Sequence, residues 1–208
     1  MPEPNIVIVD YKAGNVSSVQ KAIIARGGNA KISSSTNDIF EADALVFPGQ
    51  GACDSSMIEL NNRNLVEPIK NFIKSGKPFL GICLGLQLLL DGSDEGDEPG
   101  LGILGGYVHR LPDNLKVPHM GWNKVTFHGS HPLFDGIPNG SYFYFVHSYY
   151  ANLYDKEFVI GTTEYGIEFC SAAAKNNVLA VQFHPEKSGA LGLRIYSQFI
   201  QLVREARP

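Results

Sequence analysis

Apolar residues in this chain fall in short runs whose period changes from segment to segment. Asn5-Ile-Val-Ile-Val-Asp10 is a β-branched run and predicts a buried strand. After a loop at 11–14, Asn15 can cap a helix whose apolar positions Val16, Val19, Ala22 and Ile23 share one face, and Gly27-Gly28 stops it. Ala30 to Ser33 predicts a second strand. Ala44 to Phe47 predicts a third, followed by the turn Pro48-Gly49-Gln50-Gly51. Leu65 to Ile73 has helical spacing and ends at Ser75-Gly76. Pro78 to Ile82 predicts a fourth strand, and Leu84 to Leu90 a helix that starts directly after Cys83.

Strand and helix thus alternate in the first half, which implies parallel strands joined by right-handed crossovers. Ligands of such sheets bind at the carboxyl ends of the strands, where the turns at Gly49 and Cys83 both lie. The second half changes character. Asp91 to Gly106 is glycine-rich and acidic at its start, and predicts a loop with little regular structure. Strand-like runs follow at 107–111, 124–127, 142–146, 158–163, 168–172 and 178–183, with hairpin-like spacing that makes some of them antiparallel. The chain closes on a helix, 191–203, striped with Leu191, Ile195, Phe199 and Leu202. The expected fold is α/β: a mostly parallel central sheet flanked by helices, with additional antiparallel strands in the second half. With no repeat or linker, residues 1–208 read as a single domain.

Composition narrows the function classes. Of 208 residues, 44% are hydrophobic and 18% charged, as in a folded globular protein and unlike a disordered one. A formal net charge of -4 without a basic run gives nucleic-acid binding no electrostatic support. The apolar run 79–90 is too short to span a bilayer and is interrupted by Gly81, Gly85 and Gln87. The N-terminal Met1-Pro-Glu-Pro4 lacks the regions of a signal peptide. Three cysteines, Cys53, Cys83 and Cys170, match no zinc spacing; free thiols in a reducing compartment, the cytoplasm, are the simplest expectation.

Gly81-Ile-Cys83-Leu-Gly85 sets a cysteine between a predicted strand and a predicted helix. Glycine two residues away on each side relieves the crowding of such a turn, and a helix N-terminus favours thiolate over thiol. A free cysteine is more commonly a small buried hydrophobe; the glycines and the position favour a nucleophile. A thiolate nucleophile needs a base, usually a histidine oriented by a third residue. His184-Pro-Glu186 ends a predicted strand, where residues i and i+2 share a face and Pro185 keeps His184 extended. Glu186 can then hold one imidazole nitrogen while the other faces Cys83. A Cys-His-Glu metal site supplies only three ligands of mixed softness and no spacing motif, so no metal and no cofactor are expected. Acyl transfer also needs oxyanion donors, which backbone N–H groups at Gly49 to Gly51 and at Leu84 can supply, although a glycine turn after a strand is commonplace. Gln87 lies one helical turn after Cys83, as a substrate ligand or simply a polar helix residue.

These segments together resemble the class I glutamine amidotransferases: Gly81-Ile-Cys83-Leu-Gly85 with Gln87 the nucleophile motif, Phe183-His-Pro-Glu-Lys-Ser188 the His/Glu motif, and Pro48-Gly-Gln-Gly51 the oxyanion loop. Pro118-His-Met-Gly-Trp-Asn123, Tyr144-Phe-Val-His-Ser-Tyr149 and Asp10-Tyr11 with Gly14-Asn15 are similar to one branch, the glutaminase subunit of imidazole glycerol phosphate synthase. Gln50 departs from that branch, which more usually has a small apolar residue there. The resemblance implies hydrolysis of L-glutamine through a thioester on Cys83. Ammonia then passes to a partner cyclase subunit, a (β/α)8 barrel, which makes imidazole glycerol phosphate and an aminoimidazole carboxamide ribonucleotide. It further implies a glutamine pocket of Gly49, Gly51, Gln87, His147, Ser148 and Tyr149, and a partner face of Asn15, Trp122 and Tyr144. For the tryptophan and the tyrosines, core packing is the alternative. A paralogue feeding ammonia to another synthase, such as one modifying surface sugars, keeps the same chemistry. A binding protein that kept the fold and lost the activity is the non-enzymatic alternative, and the intact Cys83, His184 and Glu186 argue against it.

Overall fold

The computed structural model describes residues 3–12 and 14–207; Met1, Pro2, Ala13 and Pro208, and with them parts of the N-terminal segment and of the 11–14 loop, lie outside the described residues. The first half runs β1 (Asn5–Val9), α1 (Val16–Ile24), β2 (Asn29–Ser33), α2 (Thr36–Glu41), β3 (Ala44–Gly49), α3 (Cys53–Asn62), α4 (Val66–Lys74), β4 (Phe79–Cys83) and α5 (Leu84–Gln87). The second runs β5 (Gly92–Ser93), β6 (Gly106–Arg110), β7 (His119–Lys124), β8 (Thr126–Phe127), β9 (Tyr142–His147), β10 (Tyr149–Leu153), β11 (Val159–Glu164), β12 (Glu168–Lys175), β13 (Val178–Val181) and α6 (Gly189–Glu205).

The large sheet has the order β2-β1-β3-β4-β13-β12-β10-β6-β5, with β11 pairing β12 and β8. From β2 to β13 it is parallel; β12 joins β13, and β10 joins β12 and β6, antiparallel. Both faces of its centre are buried. Val7, Val9, Leu45 and Phe47 pack towards Ile39, Leu60, Ile69 and Phe72 of α2 to α4. Ile6, Ile8 and Val46 pack towards Val19 and Ile23 of α1 and Phe199 of α6. A strand buried on both faces has no polar side to alternate with, which is why 5–9 and 44–47 read as unbroken apolar runs. A second sheet, β7 with β9, is antiparallel and carries its own cross-strand pairs, among them His119 with His147 and Trp122 with Tyr144.

Several elements depart from the predicted pattern. The run 124–127 straddles two strands, and the connection 91–106 contains the two-residue β5. In α6 the buried line is Ile195, Tyr196, Phe199, Ile200 and Val203, leaving Leu191 and Leu202 half-buried at its margins. Asn15 precedes α1 but makes no capping bond with its side chain; its carbonyl accepts from Ser18 and Val19 N–H instead.

The predicted helix 84–90 stops at Gln87. The carbonyls of Leu88, Leu89 and Leu90 are taken by N–H groups of Leu101, Ile103 and Gly102, at 2.8, 2.8 and 3.0 Å. A buried carbonyl takes the donor that the fold offers, and here a returning segment displaces the helical one. Gly85 lets this short helix lie backbone to backbone on β3, since a Cβ at Gly85 would run into the Phe47 carbonyl. Gly85→Ala should therefore lower stability by about 3 kcal/mol, the upper range for overpacking against a rigid neighbour. Urea denaturation checks this; an unchanged midpoint would show that the contact relaxes freely.

Candidate active site

Cys83 ends β4 at φ 56° and ψ −108°, in the left-handed region that few side chains other than glycine adopt. Strain of this kind persists only where the surroundings impose it. Here the parallel ladders do so, setting Cys83 opposite Gly49 of β3 and Ile82 opposite Val181 of β13. A Cβ on Gly81 would lie 2.9 Å from the Gly85 carbonyl oxygen, so both glycines are needed for the chain to double back. Because α5 has only four residues, its dipole contributes little at Cys83, contrary to the longer helix expected. Beneath the neighbouring turn, the Tyr11 hydroxyl donates to the Pro48 carbonyl at 3.0 Å, and a Cβ on Gly49 would collide with it.

His184 is extended, at φ −102° and ψ 97°, as Pro185 requires, but β13 has ended at Val181. A 3-10 turn, Pro185–Lys187, then curls Glu186 back so that Oε1 lies 2.9 Å from His184 Nδ1. The pair therefore meets through a turn and not through strand alternation. The second Glu186 oxygen accepts from the Tyr196 hydroxyl at 3.3 Å. The backbone of His184 is clamped to β9: its N–H donates to the Tyr144 carbonyl at 2.9 Å, and the Ser188 hydroxyl bridges the His184 carbonyl and the Tyr144 N–H. Burial alone would push the His184 imidazole down. The negative charge of the nearby Cys83 and the hydrogen bond and charge of Glu186 outweigh it, and push it up to about 10. Among the described residues, His184 Nε2 is buried without a hydrogen-bond partner, so the influence of Cys83 rests on its nearby charge.

One cavity of about 390 Å³ is lined by Cys83, Leu84, Gln87, Gly51, His147, Ser148, Tyr149 and His184, all expected from the sequence. Gln50, Glu95, Pro118, Val146 and Lys187 complete its wall. Gly49 is buried in β3 and lines a smaller pocket behind, with Asn15, Gln50, His184 and Glu186. Gln50 packs over Gly14, where a Cβ would lie 2.8 Å from the Gln50 Cβ. Glu95 escaped notice because the acidic, glycine-rich segment around it has no periodic pattern. Its Oε2 accepts from the Cys53 N–H at 2.6 Å, which ties that segment to the start of α3.

A second histidine pair lies beside the cavity. His147 Nδ1 is 2.8 Å from the Tyr149 carbonyl and must donate to it; Nε2 then accepts from His119 Nδ1 at 2.9 Å. His119 Nε2 in turn accepts from the Asn123 amide at 3.2 Å. Burial pushes His119 down to about 4 and His147 down to about 3, so both are neutral near pH 7. On the opposite face of the same sheet, Met120, Trp122 and Tyr142 are 61, 56 and 58% exposed, and Tyr144 is half-buried. Core packing therefore does not account for Trp122, which meets Tyr144 edge-on with centroids 6.3 Å apart.

Among the described residues, no group of three or more His, Cys, Asp or Glu is arranged to hold a metal ion, and no helix is long and apolar enough to cross a membrane. The family described as glutamine amidotransferase class-I matches residues 7–202. The chain belongs to the class-I glutamine amidotransferase family. It is 46% identical over 198 residues to imidazole glycerol phosphate synthase subunit HisH of Dehalococcoides mccartyi, covering 95% of this chain and 97% of that one. With the same subunit of Thermosynechococcus vestitus it shares 47% over 209 residues, covering 99% and 100%. Among solved structures, PurLQS from Thermotoga maritima superposes with a TM-score of 0.75 at 15% identity, over 97% of this chain and 99% of that one, a likeness of fold.

Two measurements follow from the contrasting histidines. Glu186 favours the charged imidazole of His184, so Glu186→Gln should lower its titration midpoint from about 10 by roughly one to three units, read by NMR of the ring nitrogens. A midpoint that stays put or rises would refute the assigned cause. His119 and His147 have folded-state values below the unfolded value of about 6.5. The stability they carry is therefore complete above about 6.5 and lost as pH falls through 4 and 3. In urea titrations His119→Phe should show a shallower acid slope than the parent protein; an equal slope would mean that His119 protonates freely when folded.

Proposed function

We propose that this chain is the glutaminase subunit of an imidazole glycerol phosphate synthase, acting in the cytoplasm as one amidotransferase domain. The observation that carries the reading is near-full-length similarity, at 46 and 47% identity, to HisH subunits of that synthase. Cys83, His184 and Glu186, gathered at one end of the parallel sheet, support it chemically.

In this reading Cys83 Sγ attacks the side-chain amide carbon of L-glutamine. The amide oxygen becomes an oxyanion, held by the Leu84 N–H and the backbone of Gly49 to Gly51. The His184 imidazolium gives its proton to the amide nitrogen, and ammonia leaves behind a thioester. A water molecule, losing a proton to His184, then adds to the thioester; glutamate departs and the thiol is restored. Glu186 holds the imidazole in orientation throughout and favours its charged form. Gln87, His147, Ser148 and Tyr149 line the glutamine pocket, and the Glu95 carboxylate is the cavity's match for an ammonium group. The partner is a cyclase subunit, a (β/α)8 barrel, seated on the face that carries Asn15, Trp122 and Tyr144. It receives the ammonia before solvent does and forms imidazole glycerol phosphate and the aminoimidazole carboxamide ribonucleotide.

Glutamate release from glutamine should be strong only when the purified chain is mixed with a cyclase subunit and its nucleotide substrate. Cys83→Ala should abolish it by more than roughly a thousandfold, as loss of a covalent nucleophile does. Unchanged turnover in that variant, or no glutamate from the complete mixture, would sink the reading.

A further inference from the structure

Gln182 is wholly buried, one residue beyond β13, and the pairing of Val181 with Ile82 sets it beside Cys83. Its Nε2 lies 3.6 Å from Cys83 Sγ, within reach of a hydrogen bond to sulfur. We propose that Gln182 is a further catalytic residue: its amide N–H donates to the Cys83 sulfur and stabilises the thiolate. The proposal rests on Cys83 being the nucleophile.

The orientation of this amide is settled by its neighbours. The Tyr149 carbonyl can only accept, and it faces Gln87 Nε2 at 2.8 Å. The nitrogen of Gln87 is thereby fixed on that side, and its oxygen faces the Cys53 sulfur at 3.6 Å. Burial pushes the Cys53 thiol up to about 12, so it stays a donor. The second hydrogen of Gln87 Nε2 goes to Gln182 Oε1 at 3.1 Å. A flipped Gln182 would set nitrogen against nitrogen at Gln87, and would turn an oxygen towards the sulfur, which repels it once the thiolate forms. The backbone adds a further anchor, since Gln182 N–H donates to the Ser171 carbonyl at 2.9 Å. A thiolate formed at so buried a sulfur needs donors. Gln182 presents one that is already aimed and, among the described residues, has no other acceptor to leave.

The test is alkylation of Cys83 by iodoacetamide in the full chain, followed by peptide mass mapping across pH. Gln182→Met keeps the volume and removes the donor. It should slow alkylation at pH 7 about tenfold and move the half-maximal pH up by about one unit, the scale of one hydrogen bond to a charged group. Gln182→Glu, which puts an acceptor in place of the donor, should slow it further. If both variants react like the parent at every pH, the proposal is wrong. Should neither fold, the parent protein still decides. The Gln182 side-chain amide signal in NMR shifts as the sulfur ionises if the amide donates, and a signal that stays still overturns the proposal. If Cys83 of the parent resists alkylation while the fold is intact, the nucleophile reading itself fails, and this inference falls with it.

Discussion

The left-handed backbone of Cys83 is the constraint around which the neighbouring structure is arranged. A non-glycine residue in such a conformation costs on the order of 1–3 kcal/mol and must be held by what surrounds it. Ladders on both sides do this, with Gly49 across from Cys83 on β3 and Val181 across from Ile82 on β13. The same ladders deliver the other participants. The β3 strand ends in the Gly49 to Gly51 turn, and the continuation of β13 carries Gln182 and then His184. One parallel strand pairing thus sets the sulfur, its imidazole neighbour and the glycine turn in mutual register before any side chain is considered.

The polar groups buried around this turn differ sharply in electrostatic role. His184 sits between two acidic groups, and their charges prevail over burial. At His119 and His147 burial prevails and they stay neutral, each giving one proton and accepting one. Neutral imidazoles and carboxamides can then be strung in one direction, from Asn123 through the histidines to the Tyr149 carbonyl, and on the other side from Gln87 through Gln182 to sulfur. Each member gives a hydrogen bond to the next, the kind of buried polar network that rigidifies a site.

Much of this was legible in the sequence, for identifiable reasons. Strands buried on both faces write themselves as apolar runs, so β1, β3 and β4 were plain. Cys83 and His184 were conspicuous because Gly81, Gly85 and Pro185 mark the backbone those positions need. The length of α5 was not legible, since the segment that takes its carbonyls arrives from residues 101–104. Helix α3 hid because its inner face mixes Cys53 and Ser56 with Met57 and Leu60. Strand β7 inverts the usual code, turning His119 and Asn123 inwards and Met120 and Trp122 outwards, so its alternation carries the wrong sign for a simple core strand. Gln182 and Glu95 become meaningful only through partners 99 and 42 positions away.

Tyr144 belongs to two structures at once. Its side chain pairs with Trp122 on the outer face of the small sheet, while its backbone N–H and carbonyl grip the turn that carries His184. The chain of contacts from the outer surface to the His184 backbone is therefore one cross-strand neighbour, one direct hydrogen bond of 2.9 Å and one bridge through the Ser188 hydroxyl. Trp122 and the turn that carries His184 thus share one neighbour, Tyr144, which meets the first through its ring and the second through its backbone.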